Sequence, residues 1–190
     1  MRITDLLDAR SVSLTSSPKT KSEALDQAVA LMTKSGKIND EEAYRSQVYA
    51  REEESTTGIG EGIAIPHGKC DAVTKPGLAA MVVKDGVEFD ALDGQPVTLM
   101  FLIAAPNTKD NVHLDVLSKL SVLMMDEVFA DALRNAKSAD EFLDIIDKAD
   151  AEQGDIDERL ADMNEASANG FKILAVTSCP TGIAHTYMAA

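Results

Sequence analysis

Val97-Thr98-Leu99-Met100-Phe101-Leu102-Ile103-Ala104-Ala105 is apolar at almost every position. A strand with one wet face alternates polar and apolar residues. This one does not, so it is predicted to be a central strand covered on both faces. Leu78-Ala79-Ala80-Met81-Val82-Val83 reads as a second strand, and Ser11-Val12-Ser13-Leu14 alternates like a short half-buried one. The cover comes from the segments around them. Thr20 and Glu23 have the spacing of a capping box, and Leu25, Val29 and Met32 follow at helical intervals until Gly36 ends the run. Asn39 is expected to cap a second helix, with Glu42 three residues on, Tyr44, Val48 and Arg51 along one side, and Arg51 near its end. Beyond the central strand, Pro106-Asn107-Thr108 makes a turn, and His113, Leu117, Leu120 and Met124 mark one face of a helix with His113 in its first turn. Asp126 can cap a short helix through Arg134, and Ser138 with Glu141 forms another capping box ahead of Phe142, Ile145 and Ile146. The pattern defines an α/β fold, a sheet flanked by helices.

The 190 residues, 45% hydrophobic, suffice for one domain and an appendage. The domain is expected over residues 1–148. Residues 149–169 are rich in Asp, Glu, Ala, Ser, Asn and Gly with few large apolar side chains, which favours a linker over a packed element. A new strand, Lys172-Ile173-Leu174-Ala175-Val176-Thr177, then leads into Cys179-Pro180-Thr181-Gly182-Ile183-Ala184-His185-Thr186, so residues 170–190 read as the truncated start of a second α/β domain. A formal charge of -14 and 4% aromatic residues supply neither a basic surface for phosphate backbones nor a stacking platform for bases, which argues against nucleic acid. Cys70 and Cys179 form no C-x-x-C pair, and Met1-Arg2-Ile3-Thr4-Asp5 lacks the apolar core of a signal peptide, so a reducing, cytoplasmic setting is expected. The longest apolar run, residues 99–105, falls far short of the ~20 residues of a membrane helix.

The chemistry concentrates in Thr56-Thr57-Gly58-Ile59-Gly60-Glu61-Gly62-Ile63-Ala64-Ile65-Pro66-His67-Gly68. Three alternating glycines preclude regular packing until a short β-like stretch ends at Pro66, and His67 is expected to leave that stretch into a loop. A histidine there has what a phosphoryl acceptor needs: a nitrogen nucleophile largely neutral near pH 7, and close backbone approach to an anion. An ordinary loop histidine fits the spacing as well. His113, past the end of the central strand, lies where open α/β sheets bind ligands and helix N-H groups favour anions, or it simply tops a core stripe. Arg51 either neutralises phosphoryl oxygens or is a surface arginine. Cys179, between a strand and a helix opened by Pro180, has the geometry of a thiolate and phosphate cradle, against the alternative of a cysteine buried beside a turn. Cys70 has no such context.

Taken together, Thr57 to Gly68 as quoted, Phe101-Leu102-Ile103-Ala104-Ala105-Pro106 and His113-Leu114 resemble the IIA domain of the fructose and mannitol branch of the phosphotransferase system. The Cys-Pro-Thr-Gly-Ile-Ala-His-Thr stretch at 179–186 is similar to the start of a fructose-type IIB domain. The resemblance implies a mixed sheet between helices and a relay. The histidine-containing phosphocarrier protein phosphorylates His67, His113 assists, Arg51 stabilises charge, and the group passes to a IIB cysteine, here Cys179, and then to the imported sugar. The implied partners are the phosphocarrier, the IIB domain of the same polypeptide and, indirectly, a membrane IIC domain, with the IIA domain on the cytoplasmic side of an inner-membrane transporter. No cofactor or metal is implied, and no G-x-x-x-x-G-K-[ST] is present, as suits a protein donor. Two other readings stand beside this one. A nitrogen-type IIA regulator would share the active loop. A metal-dependent hydrolase would use His67, His113 and Glu61, but no compact ligand spacing supports it.

Overall fold

A computed structural model describes residues 2–108 and 112–166, apart from the side chains of 112–114, 155 and 157–166. The chain divides into two units, Met1–Ala151 and Glu152–Ala190. In the first, a 3-10 turn at Ile3–Asp5 precedes β1 (Leu7–Ser16), α1 (Lys21–Lys34), α2 (Glu41–Glu54), β2 (Gly58–Gly60), β3 (Ile63–Ala64), β4 (His67–Cys70), β5 (Gly77–Val87), β6 (Val97–Pro106), α3 (Val112–Met124) and α4 (Glu127–Asn135). The last helix among the described residues, α5, covers Ala139–Ala166.

The six strands form one mixed sheet in the order β1-β5-β6-β3-β2, with β4 also on β6. β1 runs parallel to β5, β5 antiparallel to β6, and β3 and β4 parallel to β6 one after the other along the same edge. β6 is central, as its composition requires, and its side chains divide by parity. Met100, Leu102 and Ala104 pack with Leu25, Val29 and Met32 of α1 and Tyr44 and Val48 of α2. Leu99, Phe101 and Ile103 pack with Val116 and Leu120 of α3, Leu133 of α4 and Phe142 and Ile146 of α5. Period-2 alternation therefore gives the sheet two dry faces, each under helices.

The caps form as the spacing predicts at three helices. Thr20 accepts from the Glu23 N-H (3.2 Å), Asp126 from that of Val128 (2.9 Å) and Ser138 from that of Glu141 (3.1 Å). At α2 the cap is Asp40, whose carboxylate takes the Ala43 N-H at 3.0 Å. Asn39 lies one residue too early, its own N-H bonded to Ala72 O in an isolated bridge region. His67 also differs from expectation. Pro66 does not end the strand region: its carbonyl accepts the Ile103 N-H at 2.9 Å, and the chain resumes pairing from His67, opposite Ile103. The interruption at Ile65-Pro66 separates β3 from β4, and His67 opens the second piece instead of hanging in a loop.

The helix past residue 148 is a further difference. Asp150, read as linker, is 8% exposed, accepts the Ile3 N-H at 2.9 Å and lies 3.3 Å from the Lys119 ammonium. In the second unit, residues 152–166 are helical. A composition poor in large apolar residues forbids a core but not a helix, and Ala, Glu, Gln, Arg, Leu and Met are good helix formers. Residues 167–190, including Cys179 and the second-domain strand, lie outside the described residues.

Candidate functional site

β4 presents His67 toward α2. The approach is close because Gly68 carries no side chain: a Cβ there would lie 3.0 Å from both Tyr44 Cε2 and Val48 Cγ2. Tyr44, fully buried, donates its hydroxyl to Ile103 O at 2.9 Å and ties α2 to β6 opposite His67. Burial holds its phenol well above the ordinary pKa, so it remains a donor. Two turns along α2 from Tyr44, Arg51 reaches the histidine.

Arg51 Nε donates to His67 Nε2 at 3.0 Å, while His67 Nδ1 lies 3.2 Å from Ile65 O. Only one neutral tautomer satisfies both contacts, because a carbonyl needs a proton on Nδ1 and a guanidinium needs a lone pair on Nε2. Nε2 therefore carries the free lone pair. Burial lowers the pKa of His67 below its ordinary 6.5, and the charge of Arg51 lowers it further against the opposing Ile65 bond and the Glu52 and Glu54 carboxylates. The ring is neutral at pH 7.

The guanidinium is itself held. Its Nη1 donates to Ser55 O (3.1 Å) and Ser55 Oγ (3.2 Å), and Nη2 makes no hydrogen bond among the described residues. A shallow cavity of about 260 Å³ opens in front, walled by Gln47, Arg51 and Glu54 of α2 and by His67 and Lys69 of β4. A larger cavity of about 360 Å³, walled by Ile3, Leu6 and Val116, belongs to the α3 side of the sheet.

Residues not singled out in the sequence fix the glycine loop behind the site. Glu52, 7% exposed, accepts from Thr57 N-H at 3.0 Å and from the Thr57 hydroxyl, and pairs with Lys21 at 2.9 Å. The Lys21 ammonium also sits 4.8 Å over the Phe89 ring. At the far end of the loop, Arg134 of α4 donates to Glu61 O (2.6 Å) and Thr98 Oγ1 (3.0 Å), and Asp93 accepts the Glu61 N-H (2.8 Å). Glu61 takes φ 55 there, a left-handed conformation those two bonds maintain. Apart from Glu52 with Thr57, five residues on, these are long-range pairings, and no spacing along the chain announces them.

The structure thus joins His67 and Arg51. His113 stands in the first turn of α3, as its spacing predicts, but its side chain lies outside the described residues. Cys70 is part-buried on β4 against the core. Among the described residues no group of three His, Cys, Asp or Glu side chains is placed to hold a metal ion, and no helix is long and apolar enough to cross a membrane.

A mixed-sheet α/β domain that sets a neutral histidine against an arginine is the class of protein that the fold and site define. Residues 5–149 match the family described as phosphoenolpyruvate-dependent sugar phosphotransferase system, EIIA 2, and the chain belongs to it. It is 46% identical over all its 190 residues to the fructose-specific EIIABC component of the phosphotransferase system of Bacillus subtilis, of which it spans 30%. It is 38% identical to the fructose-specific EIIA component of Haloferax volcanii, over 71% of this chain and 88% of that protein. Among solved structures, the nitrogen regulatory protein IIA-Ntr of Neisseria meningitidis superimposes with a TM-score of 0.71 at 30% identity, covering 76% of this chain and 98% of that one. The Escherichia coli mannitol IIA in complex with phosphorylated mannitol IIB gives 0.65 at 29% identity, covering 74% and 98%.

Proposed function

We propose that this chain carries a phosphoryl group on His67 Nε2, receiving it from the histidine-containing phosphocarrier protein and passing it to a IIB cysteine in the import of fructose. The observation that carries the reading is the pair of contacts on the imidazole, Arg51 Nε on Nε2 and Ile65 O on Nδ1. In the step, the Nε2 lone pair forms a bond to phosphorus as the phosphorus-nitrogen bond of the donor phosphohistidine breaks, and the electron pair of that bond returns to the donor imidazole. His67 keeps its Nδ1 proton, so its ring becomes cationic, and the Ile65 carbonyl stabilises that charge. The Arg51 guanidinium, released from Nε2 as the lone pair is used, turns to the phosphoryl oxygens, where its unengaged Nη2 provides a second donor. His113, from the first turn of α3, is proposed to donate to the same oxygens.

The next acceptor is proposed to be Cys179, in the start of a IIB domain at residues 170–190 joined through the segment 149–169. Support comes from the 46% identity to a fructose-specific EIIABC protein, which extends through that segment. A membrane IIC domain would then be an indirect partner and the site would face the cytoplasm. A purely regulatory role has support in the likeness to IIA-Ntr, but a cysteine acceptor on the same polypeptide favours transport. Intact-mass spectrometry after incubation with phosphoenolpyruvate, enzyme I and the phosphocarrier tests the reading. Wild type and Cys179→Ala should gain an acid-labile phosphoryl group and His67→Ala should not. Equal gain by His67→Ala would refute it.

A further inference from the structure

Lys69 is two residues beyond His67 on β4, so strand alternation puts both side chains on the same side, and both wall the cavity in front of Nε2. In a protein with 32 acidic and 18 basic residues, a part-buried lysine such as Lys69 would be expected to take a carboxylate partner. Among the described residues Lys69 has none: no carboxylate comes within ion-pair distance of it, and it makes no hydrogen bond. Gly68 keeps the strand close to α2 and so keeps Lys69 at the cavity. Across the cavity stands Glu54, three residues from Arg51 on α2 and equally without an ion-pair partner among the described residues, its negative charge acting on His67.

We propose that Lys69 is a second phosphoryl-binding cation that joins Arg51 on the oxygens of phosphorylated His67, and that Glu54 opposes both and keeps the group transferable. This rests on the carrier reading of the same cavity. The chemistry follows from the charges. The phosphoryl group brings more than one negative charge into a cavity that already has Glu54 and one engaged cation. A second cation stabilises both the transferring group and the phosphorylated state. With two cations and no opposing carboxylate, the group would sit too tightly to pass on, because binding the carried state more strongly than the transition state slows the next transfer.

The test uses the full chain as wild type, Lys69→Gln, Lys69→Arg and Glu54→Gln, with folding checked by circular dichroism and thermal melting. Phosphorylation by the phosphocarrier is followed by intact mass, and the equilibrium between phosphocarrier and His67 is read from the same spectra. Lys69→Gln should accept about tenfold more slowly and shift the equilibrium toward the donor, with Lys69→Arg restoring most of both. Glu54→Gln should shift the equilibrium severalfold toward phosphorylated His67. Lys69→Gln matching wild type in rate and equilibrium would overturn the proposal. If wild type gains no phosphoryl group, the carrier reading fails separately. Lys69 is then judged by titrating inorganic phosphate against the His67 ring NMR signals: a response weakened in Lys69→Gln upholds it, and equal responses overturn it.

Discussion

Gly68 and Val48 stand so close that a Cβ on the glycine would lie 3.0 Å from Val48 Cγ2, and the same atom would lie 3.0 Å from Tyr44 Cε2. That absent side chain sets how near β4 comes to α2, and so the 3.0 Å between Arg51 Nε and His67 Nε2. Gly68→Ala should push the helix off the strand and cost about 1–3 kcal/mol, the usual range for overpacking. Urea denaturation reads that loss. Phosphoryl acceptance should fall more steeply than stability, since a stretched Arg51 to His67 contact disturbs the site first.

Arg51→Lys retains the charge and loses the planar fork. A single ammonium cannot serve His67 Nε2 and the Ser55 carbonyl in the way Nε and Nη1 do. Acceptance of the phosphoryl group, followed by intact mass, should slow by about 10²-fold, the scale for removing one oriented donor to a charged transition state. Stability should change by less than about 0.5 kcal/mol.

Lys21→Ala leaves the Glu52 carboxylate, 7% exposed, without its cation. Thr57 still donates to it, and the Lys21 side chain is 24% exposed, so the cost should be about 2 kcal/mol, less than for a fully buried pair. Lys21→Met combined with Glu52→Gln should be less destabilised than Lys21→Ala alone, because no charge is then stranded. Thermal melts of the variants decide it.

Burial and Arg51 lower the His67 pKa, which keeps the ring neutral to lower pH, the form that the proposed transfer needs. The unfolded chain binds this proton near 6.5 and the folded one only at lower pH, so below 6.5 the unfolded state holds more protons. The contribution of His67 to stability is therefore undiminished above 6.5 and declines as pH falls through 6.5 toward the folded value. NMR titration of the ring should give a midpoint below 6.5, and acceptance should persist on mild acidification until that midpoint is reached. His67→Gln should remove this part of the pH dependence of stability.

The order of helices and the central place of β6 were legible because both are local patterns: an apolar run and caps at fixed spacing. Asn39 against Asp40 shows the limit of such reading, since adjacent residues are equally good caps and the bridge of Asn39 to Ala72 decides between them. His67 stood out through the family resemblance, since an ordinary loop histidine fits its glycine-rich setting as well, and its place on a strand was not legible because pairing with Ile103 is a tertiary matter. Arg51 could be placed near a helix end by its pattern, and beside the histidine only through the resemblance. Glu52, Lys21 and Arg134 left no mark in the sequence, because each acts through a partner at least five residues away and in most cases on another element. The helix beyond residue 150 was obscured by treating low hydrophobicity as a sign of irregular structure.

The central claim is that Nε2 of His67, presented by Arg51 and freed of its proton by the bond from Nδ1 to Ile65, is the atom that takes the phosphoryl group. Phosphorylating histidine-labelled protein and recording nitrogen-15 and phosphorus-31 NMR spectra tests it most directly. The account predicts phosphorus coupled to Nε2 of His67, with Nδ1 still protonated. Coupling to Nδ1, or a phosphoryl group on any other residue, would contradict it.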